Sequence, residues 1–211
     1  MKYFEFYQYF RTFPLFSYGE VKKVFPNLNS IQLVRWQKEG YIKSVIRGFY
    51  VLADFEKTFT LNETFLYLIA NKIRQPSYIS LEMALYWYNI IPEGVYLITS
   101  VTSKTTTELT SSFGKFSFRK IKNNLMFGYN IETFENYNYK IASLEKAILD
   151  YLYLNPKIEA QEDFEGLRWN VSELKEKLNV DKFNLYLQAF NKKALDKRAK
   201  KFVQYLETVT L

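Results

Sequence analysis

The sequence predicts an α+β fold: an N-terminal helical unit closed by a β-hairpin, a mixed α/β unit with a small antiparallel sheet, and a helical C-terminus. Three observations predict it. Apolar periodicity switches along the chain from helical spacing to strand-like runs and back. Capping signals recur just ahead of the apolar runs. Of the 211 residues, 48% are hydrophobic and 19% aromatic, including 18 Tyr and 19 Phe, which is too much apolar material for a disordered chain. The division is placed after residue 55, giving units 1–55 and 56–211, with a short junction near Asp54–Thr60.

In the first unit, residues 3–10 form an aromatic-rich helix. Ser17-Tyr-Gly-Glu20 is a capping-box pattern that opens a short helix to Phe25, and Pro26 stops it. Asn29 and Ser30 offer N-caps for a further helix through Glu39, with Gly40 as its left-handed terminator. Tyr41–Val45 and Phe49–Leu52 read as two strands, with Arg47-Gly48 in the turn between them. Helix, turn, helix and hairpin is the order of a winged helix-turn-helix. In that arrangement the second helix enters the major groove and the hairpin lies along the backbone. On a helical wheel Leu33, Trp36 and Gly40 share one side, and Ile31, Arg35 and Lys38 the other. The alternative wheel buries Ile31 and Val34. The candidate DNA-binding residues are Ser30, Ile31, Gln32, Arg35 and Lys38 on the helix, and Lys43 and Arg47 on the hairpin. Arg35 suits a bidentate contact to guanine and Ile31 a thymine methyl, while Lys43 and Arg47 suit phosphates.

In the second unit, Thr60-Leu-Asn-Glu63 is another capping box, opening a helix to about Arg74. Ser80 is placed as the cap of a helix through Tyr88, and Asn89 as its left-handed end. Gly94–Val101 reads as a buried strand and Thr102–Ser112 as a loop or edge strand. Lys115–Ile121 alternates in the strand period. Leu125–Tyr129, Ile131–Phe134 and Tyr139–Ile141 complete the expected antiparallel sheet. Ser143 caps a helix from Leu144 to Leu154. Beyond it, Ser172 and Asp181 are placed as starts of helices ending at Leu178 and Phe190. The last segment is amphipathic, with Leu195, Ala199, Phe202 and Leu206 on one stripe and Lys192, Lys193, Lys197, Arg198, Lys200 and Lys201 on the other face.

Charge and composition narrow the function classes. The net charge is +7, from 29 basic and 22 acidic residues, which suits nucleic acid or another polyanion and equally suits a solvated basic surface. The excess sits at the ends: residues 1–55 carry eight basic and four acidic side chains, and residues 191–211 six and two. With no Cys there is no disulfide, zinc finger or thiol nucleophile, and with no His the commonest general base and metal ligand are missing. No Gly-rich phosphate loop or nucleophile-elbow motif is present. No apolar run suits a signal peptide or a membrane span, so a cytoplasmic location is expected, with no membrane partner.

Glu145, Lys146 and Asp150 are the nearest set to a metal-dependent nuclease site. Only Lys146 and Asp150, at i and i+4, share a helix face, and the plain reading is a surface ion pair. Tyr86, Trp87 and Tyr88 are read as packing residues, with base stacking as the alternative. No catalytic residue, cofactor or metal ligand is assigned, and the chain is expected not to be an enzyme. The alternatives are a metal-dependent nucleic-acid enzyme using carboxylates in residues 56–154, and a winged-helix module that docks a protein.

Four stretches, in order, resemble the AbiEi family, antitoxins of type IV toxin–antitoxin (abortive infection) systems. Arg47-Gly48-Phe49-Tyr50 is similar to the family's wing ending, and Tyr78-Ile79-Ser80-Leu81-Glu82-Met83-Ala84-Leu85 to a helix start. Gly114-Lys115-Phe116-Ser117-Phe118-Arg119-Lys120-Ile121 is similar to a strand, and Ala142-Ser143-Leu144-Glu145-Lys146-Ala147-Ile148-Leu149-Asp150 to a second helix start. The resemblance covers roughly residues 11–154. It departs at Asn89, where the family often has Gly, and at Leu144, which replaces a Pro. It implies an autorepressor that binds repeats in its own promoter as double-stranded DNA; winged helices often bind as pairs on repeats, which allows a dimer on the DNA. It also implies an antitoxin that counters a cognate nucleotidyltransferase toxin without a stable complex.

Overall fold

A computed structural model describes residues 2–55 and 63–209, arranged as a small three-stranded sheet with helices, a six-stranded mixed sheet, and C-terminal helices. The expected capping residues Thr60–Asn62 lie outside the described residues.

The first unit is built on aromatic packing. Helix α1 (Tyr3–Phe10) buries Phe6 and Phe10. Strand β1 (Phe16–Ser17) leads into α2 (Tyr18–Val24). Both halves of the predicted capping box form there: the Ser17 hydroxyl accepts from Glu20 N, and Ser17 N donates to the Glu20 carboxylate at 2.7 Å. Helix α3 (Ser30–Lys38) is capped by the Asn29 side chain, which accepts from Ile31 N at 3.0 Å. Gly40 follows at φ 76°, as its sequence position predicts. Strands β2 (Ile42–Ile46) and β3 (Phe49–Leu52) form the hairpin, with Gly48 at φ 85° in the turn. Strand β1 adds to it in the order β1-β3-β2. That third strand is two residues long, too short to show a period in sequence. Trp36 of α3 packs on Phe6 at 4.7 Å between ring centroids, and Phe6 on Phe10 at the same distance. An N-terminal unit this small has little interior, and rings bury more area per residue than aliphatic side chains.

The second unit begins with α4 (Glu63–Ile73) and β4 (Ser77–Ile79), followed by α5 (Leu81–Trp87). Strands β5 (Leu97–Thr102), β6 (Thr107–Thr110), β7 (Lys115–Lys120), β8 (Tyr129–Phe134) and β9 (Tyr137–Ala142) complete one sheet in the order β6-β7-β5-β4-β9-β8. This corrects the expected small antiparallel sheet. Strands β5 and β7 pair in parallel over six residues, and β4 meets β9 in parallel at Ile79 and Ile141. The side-chain period of two is the same in parallel and antiparallel strands, so the pattern does not carry strand direction. Thr107–Thr110 is the edge strand expected within the Thr-rich stretch. Leu125–Tyr129 is not a strand: Asn123–Leu125 makes one 3₁₀ turn and Gly128 sits at φ 71°.

Helix α6 (Leu144–Leu154) covers one face of this sheet, where Asp150 meets Tyr78 of β4. On the other face Tyr67 of α4 packs on Tyr139 of β9, at 5.6 Å between ring centroids. Helices α7 (Gln161–Gly166), α8 (Val171–Lys177), α9 (Val180–Phe190) and α10 (Lys193–Thr208) follow. The caps of α8 and α9 are the side chains of Asn170 and Asn179, each one residue before its helix, in place of Ser172 and Asp181. On α10 the expected stripe of Leu195, Ala199, Phe202 and Leu206 is buried. Arg198, placed on the exposed basic face, is buried too, and its guanidinium donates to Leu152 O at 3.1 Å.

Aromatic and polar contacts join the units, and Phe55 packs on Tyr137 at 5.5 Å and on Phe65 at 5.6 Å between ring centroids. The Tyr137 hydroxyl donates to Thr12 O at 2.9 Å, and Lys72 of α4 forms an ion pair with Glu20 of α2. Burial works to raise the Glu20 pKa, but the Lys72 ammonium and the Ser17 amide and hydroxyl outweigh it, and the carboxyl titrates below its ordinary value. A carboxylate depressed in the folded state contributes stability above its unfolded pKa, and that contribution is lost as pH falls through the folded one. Glu20→Gln is expected to cost about 1 kcal/mol at neutral pH. Its acid-melting curve, followed by circular dichroism from neutral pH downward, is expected to fall less steeply than that of the parent.

Candidate functional site

Two places concentrate candidate side chains: the exposed face of α3 with its hairpin, and a charged network inside the second unit.

On α3, Leu33 and Trp36 are buried at 1% and 2% exposure, while Ile31 and Val34 are 56% and 48% exposed. The first wheel assignment holds for Leu33 and Trp36, Gly40 lies past the helix end and is exposed, and the alternative, burying Ile31 and Val34, is corrected. Ser30, Arg35 and Lys38 are exposed on the helix, and Gln32 is half-buried. Trp36 fixes the helix rotation, since its ring is held by Tyr3 at 5.4 Å and Phe6 at 4.7 Å. The link from α2 is held by Leu28 N donating to Phe25 O at 3.0 Å and by Lys22 Nζ donating to Pro26 O. Lys43 and Arg47 are exposed on the hairpin. The hairpin turn is tied to the start of α2 by Tyr18 N donating to Gly48 O at 2.8 Å. The predicted cationic residues of both elements thus lie on solvent-facing positions of one braced unit.

The second place departs from the expected surface pair. Lys146 and Asp150 form an ion pair, and both side chains are fully buried. Asp150 also accepts hydrogen bonds from the Tyr78 and Ser80 hydroxyls, each at 2.9 Å. The Lys146 ammonium lies over the rings of Phe190, Phe127 and Tyr78, at 4.8, 5.1 and 5.4 Å. Burial raises the Asp150 pKa and lowers that of Lys146, and each charge opposes the other's shift. Burial, with Asp150 beside it, pushes the Tyr78 hydroxyl well above its ordinary range, so it remains a donor. Glu145 points elsewhere, as the wheel predicts: it pairs with Lys182 at 3.0 Å and accepts from Asn179 N at 3.3 Å. Glu145, Lys146 and Asp150 are therefore committed to internal partners. Among the described residues no group of three or more acidic side chains is placed to hold a metal ion.

Ser80 and Ser143 occupy N-cap positions without capping through their side chains. Ser80 is bound at every polar atom. Its hydroxyl donates to Asp150, its N to Thr99 O at 3.1 Å, and its carbonyl accepts from the Thr99 hydroxyl at 2.7 Å. The next residue, Leu81, takes φ 60°, a conformation that costs a non-glycine residue about 1–2 kcal/mol. Sequence reasoning missed Tyr78 and Ser80 because their partner lies 70 or more positions away. Trp87 is 39% exposed and Tyr88 donates to Ala142 O at 3.1 Å, so Tyr88 is a packing residue as expected.

Removing one member of a buried pair leaves the other charge without compensation. Asp150→Ala is expected to cost about 3–5 kcal/mol in urea denaturation, and the double change Lys146→Met with Asp150→Leu less than that single change. Gly128→Ala is expected to cost about 1–3 kcal/mol, because a Cβ there would lie 2.8 Å from Tyr186 Cε2 and 3.1 Å from Lys146 Cγ. The same chemical-denaturation series checks all three variants. No family model and no curated protein matches the chain.

Proposed function

We propose that residues 1–55 are a winged helix-turn-helix that reads double-stranded DNA, and that the protein is an autorepressor and antitoxin of the AbiEi type. The observation that carries the DNA-binding part is the rotation of α3. Leu33 and Trp36 are buried, while Ile31, Arg35 and Lys38 face solvent on the opposite side. In this reading α3 enters the major groove. Arg35 makes a bidentate contact to a guanine and Ile31 meets a thymine methyl. Ser30 and Gln32 are the polar contacts at the helix start, and Lys38, Lys43 and Arg47 neutralise phosphates. Eight basic against four acidic residues in this segment add the sequence-independent attraction. Repeats in the upstream DNA would seat two copies.

The antitoxin part rests on the resemblance of residues 11–154 to the family. In this reading the second unit counters a nucleotidyltransferase toxin encoded alongside, without a stable complex. Co-expression with the neighbouring toxin gene tests it: restored growth is the expected result, and undiminished toxicity overturns that part alone.

The DNA part is tested by fluorescence anisotropy of the full chain on its own upstream duplex and on a scrambled duplex, across a salt series. Preference for the native duplex is expected, with affinity falling steeply as salt rises. Arg35→Ala is expected to cost about 1–3 kcal/mol on the native duplex and little on the scrambled one. Lys38→Ala is expected to weaken both and to reduce the salt slope by about one. Equal binding to both duplexes overturns the repressor reading.

A further inference from the structure

A second concave region lies on the six-stranded sheet, away from α3. It is a cleft of about 450 Å³ between the start of α5, the segment 91–97, and the side chains of β5, β6 and β7. Clefts of this size hold small ligands. Its electrostatics run against those of the whole protein. The chain carries +7, yet Glu82, Glu93 and Glu108 all line this cleft. None of the three forms an ion pair among the described residues. One cation, Arg119, also lines it, and its guanidinium donates to Leu154 O at 3.2 Å.

A second observation points the same way. Ser117 lies on the cleft floor at 5% exposure, and its hydroxyl makes no hydrogen bond among the described residues. Its neighbour across the strands, Thr99, is fully used: it accepts from Met83 N at 2.9 Å and donates to Ser80 O at 2.7 Å. Unlike the fully enclosed hydroxyls of Ser77, Ser100 and Ser143, the Ser117 oxygen reaches the cleft, where beside the carboxylates it offers an acceptor to N–H donors. At the rim, Tyr96 is 92% exposed, and its ring lies over Gly94, where a Cβ would meet the Tyr96 oxygen at 3.4 Å. An exposed ring at the mouth of an acidic cleft suits a cation. The carboxylates do not form a group able to hold one metal ion. They come from three different segments, the start of α5, the stretch 91–97 and β6, which favours several positive charges on one flexible chain.

We propose that this cleft binds a linear polyamine, whose ammonium groups pair with Glu82, Glu93 and Glu108 and donate to the Ser117 hydroxyl. The proposal does not rest on the DNA-binding reading of α3 and is tested without DNA. Isothermal titration of the full chain with spermidine at low salt is expected to show saturable binding of one equivalent. Putrescine, with one charge fewer, is expected to bind more weakly, and Mg²⁺ to give no saturable heat. Glu93→Gln and Glu108→Gln keep the cleft's shape, and each is expected to weaken spermidine by about tenfold, the loss that follows removal of a charged hydrogen-bond partner. Ser117→Ala is expected to weaken it less. A melting temperature close to that of the parent verifies the fold of each variant. The proposal is overturned if spermidine gives no saturable heat, if Mg²⁺ competes on equal terms, or if the double Glu variant binds as the parent does. Binding of a lysine-rich peptide but not of spermidine also overturns it, and assigns the cleft to a partner's basic segment.

Discussion

The architecture of the second unit turns on one buried charge pair. Taking an ammonium and a carboxylate out of water costs several kcal/mol per ion, and the fold tolerates it only where geometry and further hydrogen bonds compensate. Here the compensation is complete on the acid side. Asp150 receives Lys146 on one oxygen and the Tyr78 and Ser80 hydroxyls on the other. On the cation side three aromatic faces replace water. Each compensating group comes from a different place: β4, the β4–α5 link, the loop before β8, and α9. Strand, turn and helix must all arrive together for the charges to be tolerated. This is how a long-range ionic contact fixes one packing of these elements over its neighbours. The positive φ of Leu81 follows, because Ser80 is held by Asp150 and Thr99 and the next residue absorbs the misfit.

The first unit solves a different problem. It has too few residues for a layered core, so it packs ring on ring: Tyr3 stacks on Tyr41 at 4.4 Å, and Phe10 on Phe16 at 4.5 Å and Phe6 on Trp36 at 4.7 Å meet at a tilt. Trp36 is both core and orienter. Burying it leaves α3 only one rotation, and that rotation turns Arg35 and Lys38 outward. Glu20 then serves twice, closing the α2 capping box and pairing with Lys72 of α4. The start of the helix pair and the larger sheet unit are thus joined through one carboxylate.

Local rules were readable in the sequence, and contacts at a distance were not. The Ser17–Glu20 box, the left-handed Gly40 and Asn89, the α3 wheel and the apolar stripe of α10 depend on residues within a few positions of one another, and all four formed. Ser80 and Ser143 have the right type and place for caps, but tertiary partners decide what a hydroxyl does. Ser80 turns to Asp150, and the Ser143 hydroxyl is buried with no hydrogen bond among the described residues. Lys146 and Asp150 read as a surface pair because i, i+4 spacing is the same on either side of a helix. What buries them is α9 and Gly128, far off in sequence. A clue was present in Ala147, Ile148, Leu149 and Leu152, which leave α6 apolar nearly all round, the mark of a buried helix. Ser172 and Asp181 were near misses of the ordinary kind, since several capping residue types stand together at each of those helix starts.

The chain's charge is better understood by place than by sum. Exposed unpaired carboxylates cost little in stability, so folding alone gives no reason to gather three of them on one cleft. The basic side chains of α3 and the hairpin are exposed on the other unit. Those two surfaces respond to a polycation in opposite senses. In bulk solution a polyamine competes for DNA phosphates and weakens any protein that neutralises them. Seated among Glu82, Glu93 and Glu108, it would cancel negative charge on the protein and make the whole molecule more positive toward DNA. If the N-terminal unit binds DNA as proposed, cleft occupancy raises that affinity and bulk screening lowers it. The two effects differ in their dependence on Glu93 and Glu108, because only the first passes through those side chains.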